Sequence, residues 1–258
     1  MSDENEYDDV DELADDDLDA PRDRLALFWT WVGAMILAGV LTTLFQLVYA
    51  PQPRSVPDLL LIIGISLGAQ GVIFGVLGWL ILQAEIPGAI WWIPATILGT
   101  LIGVYLEYGA YYALILPLLK QMSVTTPPAT LQIIQLGANM VVSALLSGLA
   151  VGIAQWLVLR QAGISGALWI PITGLSILLR YLIGTGASLG LNWLFGKALF
   201  DAGIAVSSSA AQILTPVIVA IIGNLAFGAL SGWMLVNLIG EEDEDVDQEI
   251  DEEDEDEE

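Results

Sequence analysis

The segment LQIIQLGANMVVSALLSGLAVGIAQWLVLR (131–160) decides the fold of this chain. It carries no charged residue before Arg160 and is longer than the ~20 apolar residues that a helix needs to cross a bilayer core. The alternating pattern of a membrane β-strand is missing, and such strands are only about ten residues long. The segment therefore predicts a transmembrane helix.

Five further apolar segments lie on both sides of this one. We predict six spans, at residues 25–50, 58–83, 89–116, 131–160, 167–195 and 212–239. Clusters of proline and glycine separate them, as expected for turns between helices. The six spans predict a polytopic, all-α transmembrane protein.

The charges lie almost entirely outside these spans. The 258 residues include 31 acidic and 7 basic ones, for a net charge of -24. Twelve acidic residues fall in 1–24 and fifteen in 241–258, whereas 25–240 has a net charge of +1. Highly charged segments with few apolar residues do not fold alone. We therefore predict a disordered acidic N-terminal tail (1–24), a transmembrane domain (25–240) and a disordered acidic C-terminal tail (241–258).

The spans contain an internal repeat. Even-numbered spans end near Trp79, Trp156 and Trp233, which are spaced by 77 residues each time. Odd-numbered spans open at Trp31, Trp92 and Trp169. Units of two helices keep one orientation in the membrane, as parallel repeats about an axis along its normal. The pattern predicts a six-helix bundle of three parallel two-helix hairpin repeats, at about 25–83, 89–160 and 167–239.

The second repeat carries a resemblance. GIAQWLVLR (152–160), followed by GALWIP (166–171), resembles the repeat of uncharacterised bacterial polytopic membrane proteins, cyanobacterial and related, that carry GxxQWLVLR. At the position of Gln155 the first repeat has Gly78 and the third has Gly232. The resemblance implies membrane location and hairpin repeats, and it implies no activity.

The six repeated tryptophans predict an aromatic belt. All of them are expected near the membrane face that carries the tails, and indole rings favour the headgroup level. A binding vestibule lined by tryptophan is the alternative. The belt residues are Trp31, Trp79, Trp92, Trp156, Trp169 and Trp233.

Two charges fall deep inside spans. Glu107 and Arg180 lie at similar depths in the third and fifth spans, about one helical turn apart. An unpaired charge in the bilayer centre is costly, so we predict that they form an intramembrane ion pair. An ion or proton pathway is one alternative, and contact of Arg180 with an anionic lipid is another.

A weaker polar layer is predicted in the even-numbered spans. Gln70, Ser147 and Asn224 are spaced by 77 residues each time, which predicts one common depth. Their side chains would hydrogen-bond across the bundle or line a pathway.

The composition excludes most catalytic chemistry. The chain has no cysteine and no histidine, which removes thiolate metal sites and the usual general base. We therefore predict no enzyme activity, no catalytic or metal-binding residue and no cofactor. The expected function is that of a non-enzymatic assembly or interaction protein, and the alternative is a transporter or channel for a small solute or lipid.

The tails and the spans together indicate location and partners. The polyanionic tails would repel nucleic acid and could attract basic proteins, while the spans require a lipid bilayer. We expect an integral protein of a bacterial or archaeal cell membrane, with both tails on one side. Arg22 and Arg24 flank the first span, which favours the cytoplasmic side for the tails.

Overall fold

A computed structural model describes residues 24–49, 56–164, 166–198 and 208–255. Within these ranges the structure is all-helical, which confirms the predicted helical class, and six of its helical spans are long and apolar enough to cross a membrane. The helices are α1 (Arg24–Val48), α2 (Val56–Leu82), α3 (Trp92–Ala110), α4 (Leu116–Met122), α5 (Pro128–Gln161), α6 (Trp169–Trp193) and α7 (Ser208–Glu255).

The third span is longer than the sequence predicts. A π-helical turn, Tyr111–Ile115, joins α3 to α4 without a break. The span therefore runs on to Met122 instead of ending at residue 116. A second π-helical turn, Leu194–Ala198, follows α6. Such turns are rare and often lie near functional sites.

The last helix also extends beyond its predicted end. α7 runs through the acidic residues to Glu255, whereas the sequence predicts disorder from residue 241. Adding a residue to an existing helix costs far less than starting one, and no proline follows residue 240. The other predicted tail positions, 1–23 and 256–258, lie outside the described residues.

The six spans close into a ring. Each span packs against the next along the chain, and α7 packs against α1. Trp31, Trp92 and Trp169 meet one another, so α1, α3 and α6 all begin at one face of the bundle. We call this the proximal face and the opposite one the distal face. The spans alternate in direction between the two faces.

Small residues let neighbouring backbones approach closely. A Cβ atom added at Gly99 of α3 would lie 2.7 Å from the Cα of Val151 in α5. One added at Gly71 of α2 would lie 2.8 Å from the Cα of Ile97 in α3. In lipid, such dispersion contacts replace the water exclusion that drives packing in soluble proteins. Glycine therefore sets the spacing of these helices.

Two tight connections at the proximal face depend on glycine. Gly88 precedes α3 with a φ of 73°, and Gly163 precedes α6 with a φ of 95°. This left-handed region is unfavourable for residues with a Cβ atom. Each turn also buries an isoleucine, Ile86 or Ile164, in the core. The turns thus seal the proximal end of the bundle.

One helix contact recurs three times around the ring. In each case a glycine of an even-numbered span packs against the backbone of the next span around the ring. The residue that it contacts directly follows the opening tryptophan of that span. The pairs are Gly75 with Ile93, Gly152 with Ile170, and Gly228 with Val32. Fully buried leucines follow the same spacing, at Leu82, Leu159 and Leu235. The spacing in both sets is 77 and then 76 residues. The contacting residues of the last span thus lie one residue earlier than the 77-residue spacing of Trp79, Trp156 and Trp233 predicts.

Candidate functional site

Three of the predicted belt tryptophans form a cluster in the core. The rings of Trp31, Trp92 and Trp169 pack edge to face, with centroids 5.8 to 6.3 Å apart. Each is at most 2% exposed. The prediction of an interfacial belt is therefore wrong for these three residues. They pack against one another toward the axis of the ring.

The other three predicted belt residues lie nearer the surface. Trp233 is 56% exposed, and Trp79 and Trp156 are half-buried. The guanidinium carbon of Arg160 lies 5.4 Å from the ring centroid of Trp156, a cation–π distance. For these three residues the headgroup position stays a prediction.

Polar side chains tie the tryptophan cluster to the even-numbered spans. Trp169 Nε1 donates to Gln155 Oε1 at 3.1 Å, and Gln155 Nε2 donates to Thr96 Oγ1 at 3.0 Å. Trp31 Nε1 donates to Ser231 Oγ at 3.0 Å. Because all five side chains are buried, these bonds satisfy groups that would otherwise be costly.

The third tryptophan of the cluster differs from the other two. Gly78 lies at the position that corresponds to Gln155 and Ser231, and it has no side chain to accept a hydrogen bond. A Cβ atom there would lie 2.6 Å from Trp92 Nε1. No described residue accepts a hydrogen bond from the indole N–H of Trp92. One donor of the cluster is therefore left without a protein partner.

A cavity of about 60 Å³ lies on the axis of the ring, directly beneath the tryptophan cluster. We call it the central cavity. No acidic residue lines it. Its lining includes the three clustered tryptophans, Gln70, Phe74, Thr96, Thr100, Gln155, Arg180 and Phe227. The central cavity thus joins apolar rings, hydrogen-bonding groups and one positive charge.

Arg180 closes the central cavity on the distal side. It lies eleven residues after Trp169 on α6, about 16 Å further along the helix axis. Its guanidinium carbon lies 5.6 Å from the ring centroid of Phe74. Arg180 also lines a second cavity, of about 390 Å³, between α1, α6 and α7. We call this the lateral cavity, and Arg180 lies where the two cavities meet.

Glu107 lies in a third cavity, of about 220 Å³, between α3 and α5. Its Oε2 atom accepts a hydrogen bond from Ser147 Oγ at 3.2 Å. In the same cavity Gln135 Nε2 donates to the hydroxyl oxygen of Tyr111 at 3.1 Å. A carboxylate within a span thus lies next to a cavity with hydrogen-bonding walls.

The predicted ion pair is not formed. Glu107 and Arg180 line different cavities, and no acidic side chain is among the described residues that line the two cavities of Arg180. Neither residue makes an ion pair with a described residue. The two residues were predicted to meet because they lie at similar depths. Depth alone does not bring two side chains together, since each helix also has a rotation about its own axis.

The three residues of the predicted polar layer take different partners and make no described hydrogen bond to one another. Gln70 lines the central cavity, Ser147 bonds Glu107, and Asn224 donates from Nδ2 to the carbonyl oxygen of Ala220. Asn224 is fully buried against Gly39 of α1. The prediction used a spacing of 77 residues throughout, whereas the helix contacts of the last span follow a spacing of 76 residues, so Asn224 is one residue out of register. A shift of one residue rotates a side chain by about 100° around a helix.

Sequence reasoning missed the residue at the centre of the hydrogen-bond network. Gln155 was compared with Gly78 and Gly232, whereas the structure places Ser231 at the corresponding position. Phe74, which contacts Arg180, was missed as well. The signal that could have found Gln155 is its polarity, since a buried amide in a span requires partners.

No family model, curated protein or solved structure matches the chain. The class of this protein is therefore inferred from its fold and its cavities. They are compatible with a polytopic integral membrane protein that has cavities with polar walls among its helices.

The separation of the two charges predicts additive mutations. We expect Glu107→Gln and Arg180→Gln to change the free energy of unfolding by amounts that add within about 0.5 kcal/mol, because the residues share no partner. Thermal unfolding in detergent of the two single variants and the double variant measures this. The contacting pair Gln155→Leu and Thr96→Val is the control and should be non-additive. Recovery of stability in the Glu107→Gln, Arg180→Gln double variant would show that the charges are coupled.

Proposed function

We propose that this protein is a non-enzymatic transporter or channel for a small solute, built from three parallel hairpin repeats around the central cavity. The observation that carries the proposal is the position of Arg180. It is a charged residue within a span that lines both the central and the lateral cavity. Charges at such depth are expensive and typically mark solute or ion pathways.

The arrangement of the cavities supports a pathway. The lateral cavity lies between α1, α6 and α7, and the α3–α5 cavity reaches Glu107. Irregular helix is tolerated at membrane depth where it is buried in protein or lines a cavity. The π-helical turn that contains Tyr111 meets this condition, since Tyr111 and Ile115 line the α3–α5 cavity.

The threefold recurrence of contacts supports the repeats. Three glycine contacts, three buried leucines and three clustered tryptophans occur once per hairpin. A central axis surrounded by equivalent helices is where repeat-built transporters hold their sites. The chemistry of the axis differs between the hairpins, because Gly78, Gln155 and Ser231 differ in polarity.

An assembly function is the second candidate. It is supported by the acidic residues outside the spans, twelve in 1–24 and fifteen in 241–258, which suit basic protein partners. The cavities favour transport over assembly, since a protein that only binds partners through its tails has no need of a charge within the bundle.

Solute flux tests the proposal. Purified protein in liposomes would be challenged with potassium chloride, potassium acetate, urea and glycerol, and volume changes followed by light scattering. Valinomycin would be present with the potassium salts, so that potassium enters with the anion and charge stays balanced. We expect at least one solute to enter about tenfold faster than into protein-free liposomes, and Arg180→Gln to remove most of this increase. Arg160→Gln is the matched control, because Arg160 is an exposed arginine at the proximal end of α5.

Two outcomes would overturn the proposal. One is the absence of any flux above that of protein-free liposomes. The other is flux that Arg180→Gln leaves unchanged, which would place the pathway elsewhere. In either case, cross-linking of the intact protein to basic partners through the tails would test the assembly function directly.

A further inference from the structure

We propose that the central cavity binds a small monovalent inorganic anion, held by the guanidinium group of Arg180. This inference rests on the proposed function in that it names the class of solute for the same site. Chloride and nitrate represent the class.

The charge of the site is positive and uncompensated within the described residues. Arg180 lies in the central cavity, and neither the central nor the lateral cavity has an acidic residue among its lining. The described contact of the guanidinium group is the ring of Phe74, at 5.6 Å from the centroid. A ring face reduces the cost of burying the cation and leaves its N–H groups for another partner. A mobile anion is the ligand that such a cation would attract.

Uncharged donors also line the central cavity. The indole N–H of Trp92 has no acceptor among the described residues, and Trp92 lines the central cavity. The amide of Gln70 and the hydroxyl group of Thr100 line it as well, and neither makes a hydrogen bond to a described residue. Arginine and lysine side chains give membrane pores their preference for anions, and hydrogen-bond donors that line the same space add to it.

The size of the cavity limits the ligand. Its volume of about 60 Å³ holds roughly four water molecules, at about 10–15 Å³ each. A chloride or nitrate ion fits this space more readily than a larger anion such as gluconate. The apolar walls formed by Met35, Phe74 and Phe227 suit a single charge better than a multiply charged ion, which loses more hydration energy on entry.

The lateral cavity offers a route to this site. It is larger, at about 390 Å³, and meets the central cavity at Arg180. Thr43 of α1 and Thr185 and Ser188 of α6 line it with hydroxyl groups. Gly223 of α7 packs against the stem of Arg180, since a Cβ atom there would lie 3.3 Å from Arg180 Cγ. The absence of a side chain at Gly223 thus leaves room for Arg180 between the two cavities.

Anion-dependent stability of the detergent-solubilised protein tests the inference. Thermal midpoints would be compared in sodium chloride, sodium nitrate and sodium gluconate at one ionic strength. A ligand that binds only the folded state raises the midpoint, and we expect a saturable rise of about 3–5 °C with chloride or nitrate over gluconate. Arg180→Gln should abolish the rise, and the control Arg160→Gln should keep it.

A second variant keeps the test decisive if Arg180→Gln does not fold. Thr100→Val preserves the shape of the side chain and removes its hydroxyl group, so it should raise the anion concentration for half-maximal stabilisation about threefold or more. Equal midpoints in all three salts, or a full anion response in a folded Arg180→Gln protein, would overturn the inference. Stabilisation without flux would leave the anion site standing and overturn transport. Flux of urea or glycerol without stabilisation by chloride or nitrate would support transport and overturn the anion site.

Discussion

Trp92→Ala is expected to lower the free energy of unfolding by about 3–5 kcal/mol, the range for removing a large aromatic side chain from a packed core. Trp92 is 1% exposed and contacts both other rings of the tryptophan cluster. Its removal leaves a void on the axis where all three hairpins meet. Equilibrium unfolding in mixed detergent micelles, followed by circular dichroism, measures the loss.

The adjacent residue provides the control for this prediction. Trp91 is 61% exposed, so Trp91→Ala removes an equally large ring from the surface of the bundle. We expect that variant to stay within about 0.5 kcal/mol of the parent protein. If both variants lost the same stability, the tryptophan cluster would have no special part in holding the ring of helices together.

Gln155→Leu is expected to cost about 2–6 kcal/mol. The substitution strands two buried groups, the indole N–H of Trp169 and the hydroxyl group of Thr96, at roughly 1–3 kcal/mol each. The two side chains have similar size, so the loss reports hydrogen bonding rather than a cavity. The same unfolding measurement applies.

A second glutamine on α5 provides the matched control. Gln132 is exposed and makes no side-chain hydrogen bond to a described residue, so Gln132→Leu should leave stability unchanged. If adding Thr96→Val to Gln155→Leu restored all of the lost stability, the whole loss would come from the unpaired hydroxyl group of Thr96. We expect partial recovery, because the N–H of Trp169 remains unpaired.

The spans could be predicted from the sequence because the bilayer imposes a simple rule. Each predicted span overlaps an observed one, and most ends agree within a few residues. The third span was predicted too short because Pro117 was interpreted as a helix end. In the structure Pro117 lies just after the π-helical turn Tyr111–Ile115, and the helix continues through it to Met122.

The side-chain contacts were predicted less well. The spacing of Trp79, Trp156 and Trp233 gave a single repeat length, while the packing of Gly228 and Ser231 uses one residue less. Trp233 consequently lies on the surface, and Gly232 packs against Trp31. The sequence repeat was aligned on its tryptophans. The register of the packed helices instead depends on where small residues let the backbones approach each other.

By itself the sequence determined the number of spans, their apolar character and the absence of cysteine and histidine chemistry. These properties follow from composition along the chain, and no long-range contact alters them. Only the tertiary structure decided that Trp31, Trp92 and Trp169 meet on the axis, and that Glu107 and Arg180 line separate cavities. The physical reason is rotation. Hydropathy fixes how deep a residue lies in the membrane, but the direction of its side chain depends on helix packing, and one residue of register changes it by about 100°.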